Sequence, residues 1–279
     1  PGAADSCSGG VGDGGGNINW SGDYTGGESG LTELRARRTM LAPALRIAMD
    51  ESTSELLRES GKQKEAVAAL QEQPFTIVSD SVPGENRLTT LHLSMSDASG
   101  DSAIIEYIGG KQVIHHSRDY QVMTNSPVFD QQLALNTYWK QIGGTVMLPG
   151  TNRAADRFAR ASFYVNAIPK DENPDRALAS VFSVIRNVSV PFGISTPDQP
   201  NISATRWRTV ADHHRKHYFF ESVLTPNTFW VDLKAVDFSP EKGKVKKLDL
   251  GPQQSRTFSG DATANFQEAE PFKFLGLPM

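Results

Sequence analysis

The feature that most constrains the fold is a pair of adjacent glycines, Gly109 and Gly110, between two apolar segments of the chain. The flanking segments, SAIIEYI (102–108) and KQVIHH (111–116), both have the pattern of a β-strand. Two consecutive glycines suit a two-residue hairpin turn because both positions can adopt a positive φ. The sequence therefore predicts an antiparallel hairpin over 102–116.

Further strands and helices follow in blocks along the chain. Strand patterns occur at 75–78, 87–96, 120–126 and in TRWRTVAD, KHYFFESV, TFWVDL and VKKLDL of the last hundred residues. Apolar residues at helical spacing predict helices within 31–72, including KEAVAAL, over Phe129–Ile142, and from Asn173-Pro174, an N-cap followed by proline. Antiparallel hairpins combined with a few long amphipathic helices indicate a layered α+β fold.

The first thirty residues have a different composition from the rest. They contain 11 of the 24 glycines, many of them in CSGGVGDGGGNINW. Glycine loses the most backbone entropy on ordering, so such a run does not favour a regular element. We therefore predict a loop before Gly30.

Charge, hydropathy and histidine placement exclude several classes of function. The formal charge of −4 gives no basic field for nucleic acid, and no segment has 18 uninterrupted apolar residues for a membrane span. His115 and His116 are neighbours on a strand and point to opposite faces, whereas the group His213, His214 and His217 belongs to a polar turn. Neither arrangement has the spacing of zinc ligands, so we predict no metal site.

Two polar segments remain as candidate sites. The first, Met123–Pro127, contains Asn125 and lies between a predicted strand and a helix, where side chains are held rigidly and stay accessible. From the residues alone, a simple turn or cap without chemistry is the better explanation. The second is LPGTNRAADRF (148–158), and its residue types alone indicate that Arg153, Arg157 and Arg160 are surface charges.

Several long segments strongly resemble the choloylglycine hydrolase family, especially its penicillin V acylase branch in Gram-negative bacteria. The resemblance runs over residues 64–279 and is carried by DASGDSAIIEYIGGKQVIHH, YQVMTNSPVFDQQLALNTYW, IGGTVMLPGTNRAADRFARASFYVNAIP, SVIRNVSVPFGIS, TRWRTVAD and YFFESVLTPNTFWVDL. It implies one N-terminal-nucleophile hydrolase domain over 1–279, an αββα four-layer sandwich of antiparallel sheets. It also implies cleavage of a linear amide without cofactor or metal.

The resemblance assigns roles to three residues. The family nucleophile is a cysteine at the start of the mature chain, whose α-amine acts as the base, and Cys7 is the single cysteine here. Asn125 of TNSP matches an asparagine that supports the nucleophile. Arg157 of DRF matches an arginine that stabilises the thiolate or the oxyanion. The resemblance therefore predicts that the Asn125 and Arg157 side chains line one pocket.

Residues 1–63 match the family poorly and are shortened. PGAADS precedes Cys7, Asn19 of NINW takes the place of an aspartate, and the oxyanion asparagine has no counterpart. Two interpretations therefore stay open: an amidase in which Cys7 becomes terminal, and a catalytically impaired relative that only binds ligands. The resemblance implies penicillin V as substrate, with N-acyl homoserine lactones or conjugated bile salts as alternatives, in a periplasmic or secreted homotetramer.

Overall fold

The computed structural model describes residues 7–12, 63–72, 92–96, 100–197, 204–239, 244–250 and 256–270. The helices are α1 (Gln63–Glu72), α2 (Phe129–Ile142), α3 (Ala154–Ala167) and α4 (Pro174–Asn187). The strands are β1 (Cys7–Gly12), β2 (Leu93–Ser96), β3 (Ser102–Ile108), β4 (Lys111–His116), β5 (Trp207–Asp212), β6 (His217–Ser222), β7 (Thr228–Asp232), β8 (Lys246–Lys247), β9 (Ser259–Asp261) and β10 (Gln267–Glu268).

The strands form one larger and two smaller sheets. The larger sheet has the order β1-β5-β6-β7-β9 and is antiparallel except for the short parallel pair β7–β9. The order β2-β3-β4 makes a three-stranded antiparallel sheet, and β8 pairs with β10. The predicted hairpin is confirmed, because Ile108 pairs with Lys111 across Gly109 and Gly110, whose φ values are 58° and 77°.

Both faces of the larger sheet are covered. Phe219 and Phe220 are neighbours on β6 and point to opposite faces, as side chains of a strand do. Phe219 belongs to a buried cluster with residues of α2, α3 and α4, whereas Phe220 belongs to a second cluster with the segment around Leu248 and Leu250. Helices α2, α3 and α4 therefore pack against one face and the C-terminal segment against the other.

Three predicted elements were wrong. The glycine-rich Cys7–Gly12 forms a strand, because β5 offers backbone groups that any extended chain can pair with. Residues 120–126 are not a strand, since the carbonyls of Tyr120 and Thr124 accept hydrogen bonds from the side chains of Ser102 and Gln132. The polar turn after β5 ends before His217, which pairs within β6. The predicted segments 31–62 and 75–78 lie outside the described residues.

Burial of His92, directly before β2, predicts a pH-dependent stability. The residue is only 7% exposed, and burial lowers the pKa of its imidazole from 6.5 to about 4. Between these values the unfolded chain binds a proton that the folded chain does not, so stability falls as the pH falls. The free energy of unfolding is expected to drop by about 3 kcal/mol from pH 7 to pH 4 through this group.

Urea denaturation of the wild type and His92→Gln at pH 7, 5.5 and 4 measures this effect. The glutamine amide does not titrate in this range, so the variant should lose less stability than the wild type on acidification. Parallel pH profiles for the two proteins would show that His92 does not cause the loss.

Candidate active site

Asn125 lies in the turn that leads into α2. The turn contains the cis peptide bond between Ser126 and Pro127. Gln132, from the buried face of α2, holds it: Gln132 Nε2 donates to the carbonyl oxygens of Thr124 (2.9 Å) and Pro127 (2.6 Å). Asn125 is therefore flanked on both sides by carbonyls bound to one side chain.

The start of α2 is fixed by a carboxylate from β3. Val128, at the N-cap, provides no side-chain cap. The buried Glu106 accepts the Phe129 amide hydrogen, at 3.1 and 3.0 Å to its two oxygens, and its Oε2 lies 3.2 Å from Nε2 of His115. A negative charge at a helix N-terminus is stabilising, so Glu106 ties the helix and the preceding turn to the small sheet.

Arg157 lies in the first turns of α3 and is 2% exposed. Its Nε donates to the Asn152 carbonyl at 3.0 Å. Arg160 binds the same loop, since its Nη1 donates to the carbonyls of Pro149 (2.7 Å) and Thr151 (2.8 Å). Arg153 is exposed. Residue type alone indicated three surface charges, and this was wrong for Arg157, because a guanidinium with carbonyl acceptors can be buried.

The Thr124 hydroxyl connects the Asn125 turn to the Arg157 helix. Thr124 Oγ1 donates to the carbonyl of Ala154, the first residue of α3, at 2.9 Å, and it also contacts Gln132 Oε1. The segment next to Asn125 and the first turn of the helix that carries Arg157 are therefore in direct contact. That the two side chains line one pocket stays a prediction.

Cys7 begins β1, and its backbone pairs with Asp212 at the end of β5. The Asp212 carboxylate accepts the amide hydrogens of His214 (3.0 Å) and Arg215 (2.9 Å) and is 2.5 Å from Nε of Arg215. Burial raises the pKa of Asp212, but these hydrogen bonds and the Arg215 charge outweigh it and lower the pKa overall. Arg215 also binds Asp175 of α4 at 2.7 Å, so Cys7 pairs with a firmly anchored strand end.

The histidines do not assemble into a metal centre in the described part of the chain. His115 contacts Glu106, whereas His116 Nε2 is 2.9 Å from Asp101, as expected for neighbours on opposite faces of a strand. Within the residues that the structure describes, no group of three or more histidine, cysteine or carboxylate side chains is placed to hold a metal ion. None of the helices in these ranges combines the length and the apolar character of a membrane-spanning segment.

Sequence reasoning missed Glu106 and Gln132, which hold the site together, and it gave Thr124, inside the candidate segment Met123–Pro127, no role of its own. Glu106 and Gln132 both carried a signal. Glu106 is the one charged residue of SAIIEYI, and Gln132 follows Phe129 by three positions on the apolar face of α2. A polar residue at a position that periodicity assigns to the core is expected to satisfy a buried partner.

The layered α+β fold, together with the segments that carry Asn125 and Arg157, places the chain among the linear amide hydrolases. Residues 36–246 match the family described as linear amide C-N hydrolases, choloylglycine hydrolase family. The chain belongs to this family, and the predicted α+β N-terminal-nucleophile hydrolase fold is confirmed by its structural relatives.

Among proteins similar to the chain is the penicillin V acylase of Pectobacterium atrosepticum, 62% identical over 225 residues, which are 76% of this chain and 60% of that protein. The structure of penicillin V acylase from Agrobacterium tumefaciens is 68% identical, with a TM-score of 0.69, over 77% of this chain and 65% of that one. A mutant of conjugated bile acid hydrolase from Clostridium perfringens is 25% identical with a TM-score of 0.52, over 63% of this chain and 59% of that one. The chain thus spans about three fifths of the length of these relatives.

Proposed function

We propose that this protein hydrolyses the side-chain amide of penicillin V, with Cys7 as the nucleophile. The observation that carries the proposal is the hydrogen bond from Thr124 to Ala154, which joins the Asn125 turn to the Arg157 helix. It does so in a chain 62% identical to a penicillin V acylase. The identity makes penicillin V the first substrate to test.

The proposed reaction has two steps. The Cys7 sulfur attacks the amide carbonyl while its proton passes to the α-amine. The α-ammonium then gives this proton to the amide nitrogen as the C–N bond of the tetrahedral oxyanion breaks, so the amine product leaves and the acyl group stays on sulfur as a thioester. Water then attacks the thioester and releases the carboxylic acid, which regenerates the thiol. Arg157 stabilises negative charge on sulfur or oxygen, and Asn125 supports the nucleophile and its amine.

The mechanism requires a free amine on Cys7. An α-amine titrates at about 7.7–8.0, so it exchanges protons readily near neutral pH, whereas a peptide nitrogen is not a base. The bond between Ser6 and Cys7 must therefore be cleaved before the enzyme is active.

Two alternatives rest on their own observations. Conjugated bile salts are suggested by a protein named bile salt hydrolase/transferase from Clostridium perfringens, which is 26% identical. A ligand-binding protein without turnover is suggested by Asn19, because the family resemblance aligns this position with an aspartate. Acyl homoserine lactones remain a further candidate substrate of the hydrolase.

Intact mass and hydrolysis, measured on one preparation, distinguish these functions. We expect a mass that corresponds to a chain starting at Cys7, and release of phenoxyacetate from penicillin V faster than release of glycine from glycocholate. Faster release from glycocholate would make the protein a bile salt hydrolase. A processed chain that binds penicillin V without hydrolysing it would support the impaired relative.

Location and assembly are part of the same proposal. The family resemblance supports a periplasmic or secreted protein that forms a homotetramer. Cell fractionation and light scattering coupled to size-exclusion chromatography test the two statements separately. A cytoplasmic monomer would contradict both.

A further inference from the structure

Gln132 is a buried polar side chain to which the proposed reaction gives no role. It is 1% exposed and lies on the face of α2 that also buries Phe129 and Asn136. Burying an amide is costly unless its donors and acceptor are bonded. Gln132 is therefore expected to act through the groups that its amide binds.

The groups that bind the Gln132 amide all belong to the Asn125 turn. Its two Nε2 hydrogens reach the carbonyls of Thr124 and Pro127, and its Oε1 contacts the Thr124 hydroxyl. Between these carbonyls lie only Asn125 and Ser126. The planar amide therefore sets the spacing of the backbone on both sides of Asn125.

The same amide acts on the contact between the turn and α3. The Thr124 hydroxyl that touches Gln132 is also the one that donates to the Ala154 carbonyl. The hydroxyl has one hydrogen, so the Gln132 oxygen and the Ala154 carbonyl compete for it. Loss of the Gln132 oxygen leaves this hydrogen to Ala154 alone and frees the turn from α2. Gln132 thus contacts neither Asn125 nor Arg157 in these bonds, yet it fixes elements that carry both.

We infer that Gln132 is a positioning residue for amide hydrolysis, which holds Asn125 in register with α3 through the carbonyls of Thr124 and Pro127. The inference rests on the proposed function, because it assigns this placement to the catalytic step. A displacement of about 1 Å in a catalytic group can cost about a hundredfold in rate.

Gln132→Met preserves the length of the side chain and removes its donors and acceptor. We expect kcat for penicillin V to fall by about 10²-fold with KM changed by less than about threefold, measured on folded protein well below the melting transition. Gln131→Met is the matched control, since Gln131 is the exposed neighbour on the same helix, and its kcat should stay within about twofold of the wild type. A Gln132→Met enzyme with wild-type kcat and only a lower Tm would overturn the inference.

The pH dependence of kcat in Gln132→Glu distinguishes a positioning role from a purely structural one, which would not change it. A buried carboxyl facing two carbonyl oxygens has its pKa raised, and only its protonated form donates a hydrogen bond. The kcat of this variant, divided by that of the wild type at the same pH, should therefore rise by about tenfold on acidification from pH 8 to pH 5.5. A ratio that stays flat over this range would contradict the assignment.

Crystal structures of the wild type and Gln132→Met separate this inference from the proposed function. The Asn125 side chain should be displaced by about 1 Å relative to Ala154 in the variant. An unmoved Asn125 overturns the positioning role whether or not the wild type is active. A displaced Asn125 in a protein without any amidase activity would support the placement and contradict the proposed function alone.

Discussion

Replacing Cys7 with alanine is expected to abolish the hydrolysis of penicillin V, with a loss of kcat of at least about 10⁴-fold. The Cys7 sulfur is the only protein atom proposed to form a covalent bond with the substrate, and the chain contains no second cysteine. Product release by the purified variant, measured over hours, gives the residual rate. The variant should still bind penicillin V, because the acyl group is not held by the sulfur.

The fold should not be affected by this change. Cys7 contributes its backbone to the ladder with β5, opposite Asp212, and alanine leaves that ladder intact. Cys7→Ala and Cys7→Ser should therefore have a Tm close to that of the wild type. An alanine variant that retains activity would show that the nucleophile lies elsewhere.

Elements defined by neighbouring residues could be predicted from the sequence. The turn at Gly109 and Gly110 requires positive φ at two consecutive positions, which glycine provides wherever it stands. Asn173 and Pro174 likewise specify the start of α4, where the Asn173 side chain accepts the amide hydrogens of Asp175 and Arg176. In both cases the determinant and its effect lie within a few residues of each other.

Elements defined by distant partners could not be predicted. Cys7–Gly12 is a strand because β5, two hundred residues later, offers an edge to pair with. Residues 120–126 have an apolar pattern typical of a strand. The carbonyls of Tyr120 and Thr124, however, bind the side chains of Ser102 and Gln132 and not the backbone of a neighbouring strand. Nothing local in either segment identifies such partners.

The candidate site shows the same division. Asn125 and Arg157 were predicted from resemblance to family segments, whereas residue types alone indicated a turn and a surface charge. The burial of Arg157 depends on the carbonyl of Asn152, and the orientation of a carbonyl is a property of the folded loop. The bond between Thr124 and Ala154 joins segments thirty residues apart and has no local signal.

Replacing Arg157 with methionine is expected to reduce kcat for penicillin V by about 10²–10³-fold, the usual cost of removing a group that stabilises developing negative charge. Methionine approximates the volume of the buried side chain but carries no charge. Arg153→Met is the matched control, because Arg153 is exposed at the N-cap of the same helix, and its kcat should stay within about twofold of the wild type. Steady-state rates at several penicillin V concentrations separate kcat from KM.

The Arg160→Met variant shows whether the loss of kcat in Arg157→Met comes from the missing guanidinium charge or from a loosened loop at residues 149–152. Arg157 and Arg160 both anchor residues 149–152 through carbonyls, but the second does so with two bonds from Nη1. If loop anchoring governs activity, Arg160→Met should reduce kcat at least as much as Arg157→Met. If the Arg157 guanidinium acts on the reacting atoms, Arg160→Met should lower Tm and reduce kcat by less than about tenfold. Equal losses of kcat in the two variants would remove Arg157 from the catalytic residues and leave it a structural anchor.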